Sequence, residues 1–575
     1  MTKLLKFLKP YSVSVLFVLA FTLVQCLSEL YLPTLMADIV DIGIVTGETN
    51  YILRVGGLML LVAAVGTLCI ILTNFLSSKI ATGFGKSLRS RVFSHVQDFS
   101  LYEFDKIGTA SLITRTTNDI TQVQMVIMMV LRMLIRAPMM CIGGIIMAVS
   151  KDAKLSLIMV VVLPILTVVI SIIVSMGMPL FTIMQKKLDR LNLVLRERLT
   201  GIRVIRAFNR IDHEKKRFNE ANLDLTNTAI KVNRIMAATM PLMMLMLNYT
   251  TIAIIWFGGI RINNGDMQVG DLMAFIQYVM HIMFSFLMVS MMFVMIPRAS
   301  ASAVRINEVL ETMSDIKDPV EPKHVTDKRG FVEFRDVTFS YPGAEKPAII
   351  GVSFSAGPGE VTAIIGGTGS GKSTLISLIP RFYDIDSGSI LIDGIDIREM
   401  TQESLRAKIG FVPQEAFLFT GTISDNIRYG KEEATDEEIR HAAEIAQATE
   451  FISKMEDGFD SVIAQAGTNI SGGQKQRLSI ARALVRKAEI YIFDDSFSAL
   501  DFKTDAKLRS ALKEETAEST IFIVAQRVST VMDADRIIVL EDGRIVGIGK
   551  HKELLKTCEV YKEIVYSQLS EEEIA

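Results

Sequence analysis

Cysteine is scarce in this chain, with four residues in 575, so no disulfide framework holds it together. Cys26, Cys69 and Cys141 lie in apolar segments and Cys558 stands alone near the C-terminus; each reads as an inert small hydrophobe. Charge is scarce as well, but unevenly: 46 of the first 300 positions carry one, against 78 of the remaining 275. Half of all residues are apolar and the mean hydropathy is +0.37, which excludes a disordered chain and a small secreted scaffold. A net charge of -2 hides two opposite parts. Residues 1–300 hold 29 Lys/Arg against 17 Asp/Glu, and residues 301–575 hold 32 against 46. The first part reads as membrane-embedded with basic loops and the second as a soluble globular domain. The positive excess sits between apolar spans, so no nucleic-acid partner is expected.

A small-residue cleavage site is also missing. Lys3, Lys6 and Lys9 precede an apolar run in the manner of a signal peptide, but the run continues to about Val45 without one. Six apolar segments follow the chain at 13–45, 52–76, 131–150, 155–181, 236–260 and 272–296, each near or above the ~20 residues that cross a bilayer. The connections at 46–51, 151–154 and 261–270 are poor in cations, whereas 182–235 carries thirteen Lys/Arg. The positive-inside rule then places both long connections, 77–124 and 182–235, both termini and the soluble domain in the cytoplasm. Gln185 to Arg234 has one glycine, Gly201, and helix-favouring residues throughout, so the spanning helices are expected to run on into the cytoplasm. Glu29 and Asp38 lie inside the first span and Arg132 and Arg136 open the third. Charges there call for a wet cavity, a partner or the interface, which makes Glu29, Arg132 and Arg136 candidate transport-cavity residues. Methionine concentrates in 236–295, where flexible polarizable side chains suit a promiscuous cavity.

The second part carries phosphate chemistry. Val361-Thr-Ala-Ile-Ile365 reads as a strand, Gly366-Gly-Thr-Gly-Ser-Gly-Lys-Ser373 as a glycine-rich loop, and Thr374 opens a helical run. Gly366, Gly369, Ser370, Gly371 and Thr374 belong to a loop whose backbone N–H groups can wrap phosphates at a helix N-terminus. Lys372 is expected on the β- and γ-phosphates and Ser373 on Mg²⁺. A second apolar strand, Ile490-Tyr-Ile-Phe493, ends at Asp494, placed to hold the same ion.

Ser471-Gly472-Gly473-Gln474 resembles the signature of ATP-binding cassettes, a sequence ordinary P-loop NTPases lack. The likeness runs over 331–556: Tyr341 matches the aromatic that stacks on adenine, Gln414 the Q-loop and Ser498-Ala-Leu-Asp501 the D-loop. Residues 1–300 resemble the six-helix exporter domain, with Phe104–Arg115 and Gly201–Phe208 standing at the coupling segments. The resemblance implies a membrane α-helical domain of six transmembrane helices over 1–300, a linker at 301–330, and an α/β P-loop nucleotide-binding domain over 331–575. It implies ATP and Mg²⁺ held by Ser373, Gln414 and Asp494. It also implies a head-to-tail dimer in which Ser471–Gln474 and Asp501 serve the partner's site.

Two positions depart from that family. The expected catalytic glutamate after Asp494 is Asp495, one methylene shorter, and the expected switch histidine is Gln526, which cannot become cationic. Two changes in one catalytic centre made of Asp495, Gln526 and Gln414 suggest a degenerate site. The resulting expectation is one half of a heterodimeric multidrug-type exporter of amphipathic small molecules, its partner a second half-transporter in the same bilayer. Alternatives are a lipid flippase, a slow homodimeric exporter, or a regulatory ATP-binding subunit.

Overall fold

The computed structural model describes residues 2–323 and 329–569. These fall into two compact units, Met1–Gln97 with Gly108–Thr312, and Asp98–Ile107 with Met313–Ala575.

The first unit is helical. Its elements are α1 (Ser12–Asp38), α2 (Thr49–Gln97), α4 (Thr109–Thr114), α5 (Ile120–Met129), α6 (Arg136–Lys151), α7 (Leu157–Thr200), α8 (Ile202–Ala207), α9 (Ile211–Asn263) and α10 (Val269–Glu311). The short α3 (Leu101–Ile107) belongs to the other unit. Among the described residues six helical stretches are long and apolar enough to cross a membrane. At 1.5 Å per residue the 53 residues of α9 extend about 80 Å, far beyond a hydrocarbon core of about 30 Å. The extension read from 185–234 is therefore helix on both sides of the turn at Gly201. Two π-helical turns, Arg115–Asp119 and Val130–Leu134, join α4, α5 and α6 into one rod. Side chains of α1, α6, α7, α9 and α10 make a common core, with Cys26, Leu30, Met140, Leu166, Ile254 and Tyr278 buried in it.

The boundary expected at residue 300 lies elsewhere. α10 continues unbroken to Glu311, so the stretch read as linker from 301 starts as helix. Arg305 and Glu308 in this stretch have partners elsewhere in the helical unit. Arg305 donates to Asp119 at 2.7 Å and Arg115 donates to Glu308 at 2.7 Å.

Among the described residues the second unit is a cassette of two large sheets and a two-stranded ribbon that pairs Gly421–Thr422 with Val462–Ile463. A four-stranded antiparallel sheet contains β1 (Val332–Phe339), β2 (Ile349–Ala356), β4 (Ser387–Ile392) and β5 (Ile395–Asp396) in the order β2-β1-β4-β5. The larger sheet is built on β3 (Val361–Gly366), β6 (Ile409–Val412), β7 (Ile490–Asp494), β8 (Thr520–Val524), β9 (Arg536–Glu541) and β10 (Arg544–Gly549), in the order β10-β9-β3-β8-β7-β6. All pairs but β9–β10 are parallel. That explains why β7 and β8 read as continuous apolar runs: every residue of both is buried, with helices or sheet on each face. Parallel strands bring the C-terminal ends of β3 and β7 to the same edge, where ligands of such sheets bind. Within this unit α3 is anchored by Glu103, whose buried carboxylate accepts the backbone N–H groups of Ser100 at 2.8 Å and Asp315 at 3.4 Å.

Candidate nucleotide site

The glycine-rich loop leaves the end of β3 and enters α11 (Lys372–Leu378). Gly371 caps that helix in the left-handed region, φ 97°, and a Cβ there would lie 2.7 Å from the Ala348 carbonyl. Only glycine fits both the dihedral and the space. Around Gly367 and Gly369 a Cβ would meet nothing within 4 Å, so the outer wall of the loop is open. The Lys372 ammonium donates to the carbonyls of Gly366 at 2.9 Å and Gly367 at 2.7 Å, which holds the cation over that opening. Burial lowers the Lys372 pKa, and the nearby Asp495 and Asp494 charges oppose that shift. Ser370 Oγ is buried without a hydrogen-bond partner.

β7 delivers Asp494 to the same place. The Ser373 hydroxyl donates to Asp494 Oδ1 at 3.0 Å, which makes a pair of hard oxygen donors beside the loop. Burial raises the Asp494 carboxyl above the ordinary aspartate range; Ser373 opposes this and the Asp495 charge adds to it. A buried carboxylate beside a hydroxyl is a donor set that suits a hard cation such as Mg²⁺. Tyr341 donates to or accepts from Thr374 Oγ1 at 3.0 Å and packs edge-on against Phe339 and Tyr383. An aromatic side chain is thereby fixed next to the loop helix with its ring partly exposed.

Asp495 takes a left-handed conformation, φ 45°, directly after the strand. Gln526 Nε2 donates to Asp495 Oδ2 at 2.8 Å. Burial raises the Asp495 pKa, and the neighbouring Ser498, Gln414, Arg527 and Lys372 oppose that shift. Of the three residues read as a catalytic group, Gln526 bonds Asp495 directly and Gln414 stands in its neighbourhood. Ser498, which the sequence reading placed only in a motif, stands beside them, its hydroxyl donating to the Asp495 main-chain carbonyl at 2.9 Å.

The signature stands at the start of α12 (Gly472–Leu484). Ser471 caps it: the serine oxygen accepts the Gln474 N–H at 3.3 Å, and Gln474 Oε1 accepts the Ser471 N–H at 2.9 Å. Asp501 caps α13 (Phe502–Glu515) by accepting the Thr504 N–H at 3.0 Å. Among the described residues no hydrogen bond joins Ser471–Gln474 or Asp501 to the P-loop group of this chain.

Residues 15–286 match the ABC transporter transmembrane region, and residues 349–498 match the ABC transporter model. An uncharacterised ABC transporter ATP-binding protein of Mycobacterium tuberculosis is 44% identical over 98% of this chain and 97% of its own length. The chain belongs to the ABC transporter family. Within it the chain is an ATP-driven exporter by architecture: a bacterial Atm1-family ABC exporter with ATP bound shares the fold, with a TM-score of 0.82, 26% identity and coverage of 97% and 98%. An ATP-dependent lipid A-core flippase of Desulfotalea psychrophila is 36% identical over 82% of each chain. A putative multidrug export ATP-binding/permease protein of Bacillus subtilis is 32% identical over 98% of each.

The ABC exporter's membrane unit separates the three candidate cavity residues. Arg136 pairs with Glu29 at 2.7 Å, and Gln25 donates to the other Glu29 oxygen at 2.9 Å. Arg132, inside the π turn Val130–Leu134, points elsewhere, to the Asn74 carbonyl at 2.9 Å and the Ser78 hydroxyl at 2.6 Å on α2. Gln25, four residues before Glu29 and on the same helical face, was readable from spacing but was passed over. The methionine-rich stretch lines an apolar hollow of about 220 Å³ between α7, α9 and α10, with Met178, Met236, Met240 and Met243 on its wall.

Proposed function

We propose that this chain is one half of a two-chain exporter of amphipathic small molecules, with a slow ATP site of its own and a signature that completes a faster site on its partner. The observation that carries this reading is the hydrogen-bonded state of Asp495. Its carboxylate is one methylene short of the expected glutamate, and Gln526 donates to its Oδ2 at 2.8 Å. A water-orienting base must be free to accept from the attacking water. A 1 Å withdrawal alone costs about a hundredfold in rate. Gln526 adds nothing cationic to the γ-phosphate side.

In this reading Tyr341 stacks on adenine. Gly366, Gly369, Ser370 and Gly371 surround the phosphates with backbone N–H groups, and Lys372 moves from the loop carbonyls to the β- and γ-oxygens. Ser373, Asp494 and Gln414 would hold Mg²⁺, which when bound supplies positive charge to the phosphate oxygens. Ser471, Gly472, Gly473 and Gln474 face the partner's ATP, with Asp501 beside them. The hydroxyl of Ser471 has its oxygen engaged in the helix cap but its proton free to donate across the dimer. Closure of the two cassettes on ATP would reshape the membrane half, and hydrolysis would release it. The partner is supported by Val204 of α8 and Phe208 just after it, both exposed at the turn between α7 and α9. The methionine-lined hollow suits apolar cargo of varied shape. Both termini and the cassette are cytoplasmic in this reading.

The deciding experiment measures ATP turnover by the purified chain alone and with candidate half-transporters. Turnover that needs a partner supports the proposal, and Ser471→Ala in the complex should then lower it. Robust hydrolysis by the lone chain that Asp495→Asn abolishes would overturn it and restore the homodimeric reading.

A further inference from the structure

We propose that Arg136 is an anion-receiving subsite for the head group of the transported amphiphile, with Glu29 as the counter-ion that the substrate displaces. The inference rests on the efflux reading above and adds the charge of the cargo.

Neither charge of an isolated pair tells which ligand it awaits, but the hydrogen bonding here is lopsided. Glu29 has both oxygens engaged, one by Arg136 and the other by Gln25. Arg136 has five donors, and its hydrogen bond to Glu29 uses only one terminal nitrogen, NH2. Its Nε is buried with no partner, as is the Nε of Arg132 one turn earlier. The acid is satisfied and the base is not. His281 of α10 lies within electrostatic reach of both Glu29 and Arg136.

Geometry favours a particular exchange. A guanidinium binds a two-oxygen anion best along one edge, through two parallel N–H donors. Glu29 is held by Gln25 and meets Arg136 at one nitrogen only. A carboxylate or phosphate entering beside it could fork across Nε and NH2, satisfy the orphan donor and release Glu29. The apolar tail has a place on the same helices. His281 is followed on α10 by Met283 and Phe284, which with Met240, Met243 and Met244 wall a second small apolar hollow next to the larger one. A charged group at this depth is costly to keep without a use.

The test uses the assembled exporter in nanodiscs of neutral lipid, with binding read by displacement of a fluorescent fatty carboxylate. Competitors are oleate, oleoyl lysophosphatidate, the neutral methyl oleate and a cationic oleyl amine. Oleate and lysophosphatidate should each compete at least tenfold better than methyl oleate, and their order tells carboxylate from phosphate cargo. Arg136→Gln should erase that preference while leaving methyl oleate unchanged, and Arg136→Lys should restore part of it. Glu29→Gln should tighten the anions, because their competitor is gone. If Arg136→Gln fails to assemble around an orphaned Glu29, the double change with Glu29→Gln removes both charges and should bind acid and ester alike. Equal binding of acid and ester by the unmodified exporter, or a preference for the amine, would overturn the proposal and leave efflux standing. Binding of no amphiphile of any charge would overturn both.

Discussion

The two sides of the nucleotide site have been treated differently. On the phosphate-holding side, Lys372, Ser373 and Asp494 sit within hydrogen-bond distance of the loop or of each other and keep the residue types that phosphate and Mg²⁺ call for. On the water-activating side the residues meet just as closely, yet Asp495 and Gln526 bind each other. Proximity is therefore not the distinction; the difference is what remains free to act. A carboxylate one methylene short, with one oxygen held by a neutral amide, is drawn back from the water it would orient, while a lysine resting on loop carbonyls can be transferred to a stronger acceptor. Binding and chemistry are separable in one pocket, and only the second has been relinquished in the proposed reading.

The comparison can be broken in several ways. The largest expected effect comes from rebuilding the water-activating side. Asp495→Glu with Gln526→His should raise turnover of the lone chain by about a hundredfold in a coupled ATPase assay, the order expected of a restored general base. No gain would mean that the deficit lies elsewhere. Next, Lys372→Ala should weaken ATP binding by about thirtyfold, the size of a lost charge-assisted contact, as read by fluorescent-nucleotide titration. Asp495→Asn in the complex with a partner should change turnover less than twofold, since a site that contributes little loses little. A smaller effect is the pH range of ATP binding. Burial raises Asp494, so its carboxylate becomes protonated, and the metal-nucleotide is lost, at a higher pH than an ordinary aspartate would give. Burial lowers Lys372, so its charge is lost at a lower pH than an ordinary lysine. Both limbs of the binding profile move inward, and Asp494→Asn should remove the acid limb alone.

What was legible in the sequence follows from how local each signal is. The strand-loop-helix of Val361–Leu378 was readable because its glycines are fixed by backbone sterics within a few residues, as Gly371 illustrates. The six spans were readable because a bilayer sets a length. The end of α10 was not, since Arg305 and Glu308 look like loop charges until Asp119 and Arg115, nearly two hundred residues away, are brought beside them. The Asp495–Gln526 bond was hidden for the same reason: two substitutions could be named, but only adjacent parallel strands bring them to 2.8 Å. Likewise Glu29 and Arg136 were each marked as costly in lipid, while their pairing, and the separate fate of Arg132, depended on the π turn between α5 and α6.

The helix cap at Ser471 carries a lesson for mutagenesis. In the proposed reading one oxygen both terminates α12 and presents a proton to the neighbouring chain, so an alanine scan would confound a melted helix turn with a lost phosphate contact. Replacement of an N-cap serine by alanine costs about 1 kcal/mol, whereas glycine costs only a few tenths. Ser471→Gly is accordingly the cleaner probe: it takes away the hydroxyl and leaves the first turn almost intact, and the gap between the glycine and alanine variants measures how much of the signature's importance is scaffolding.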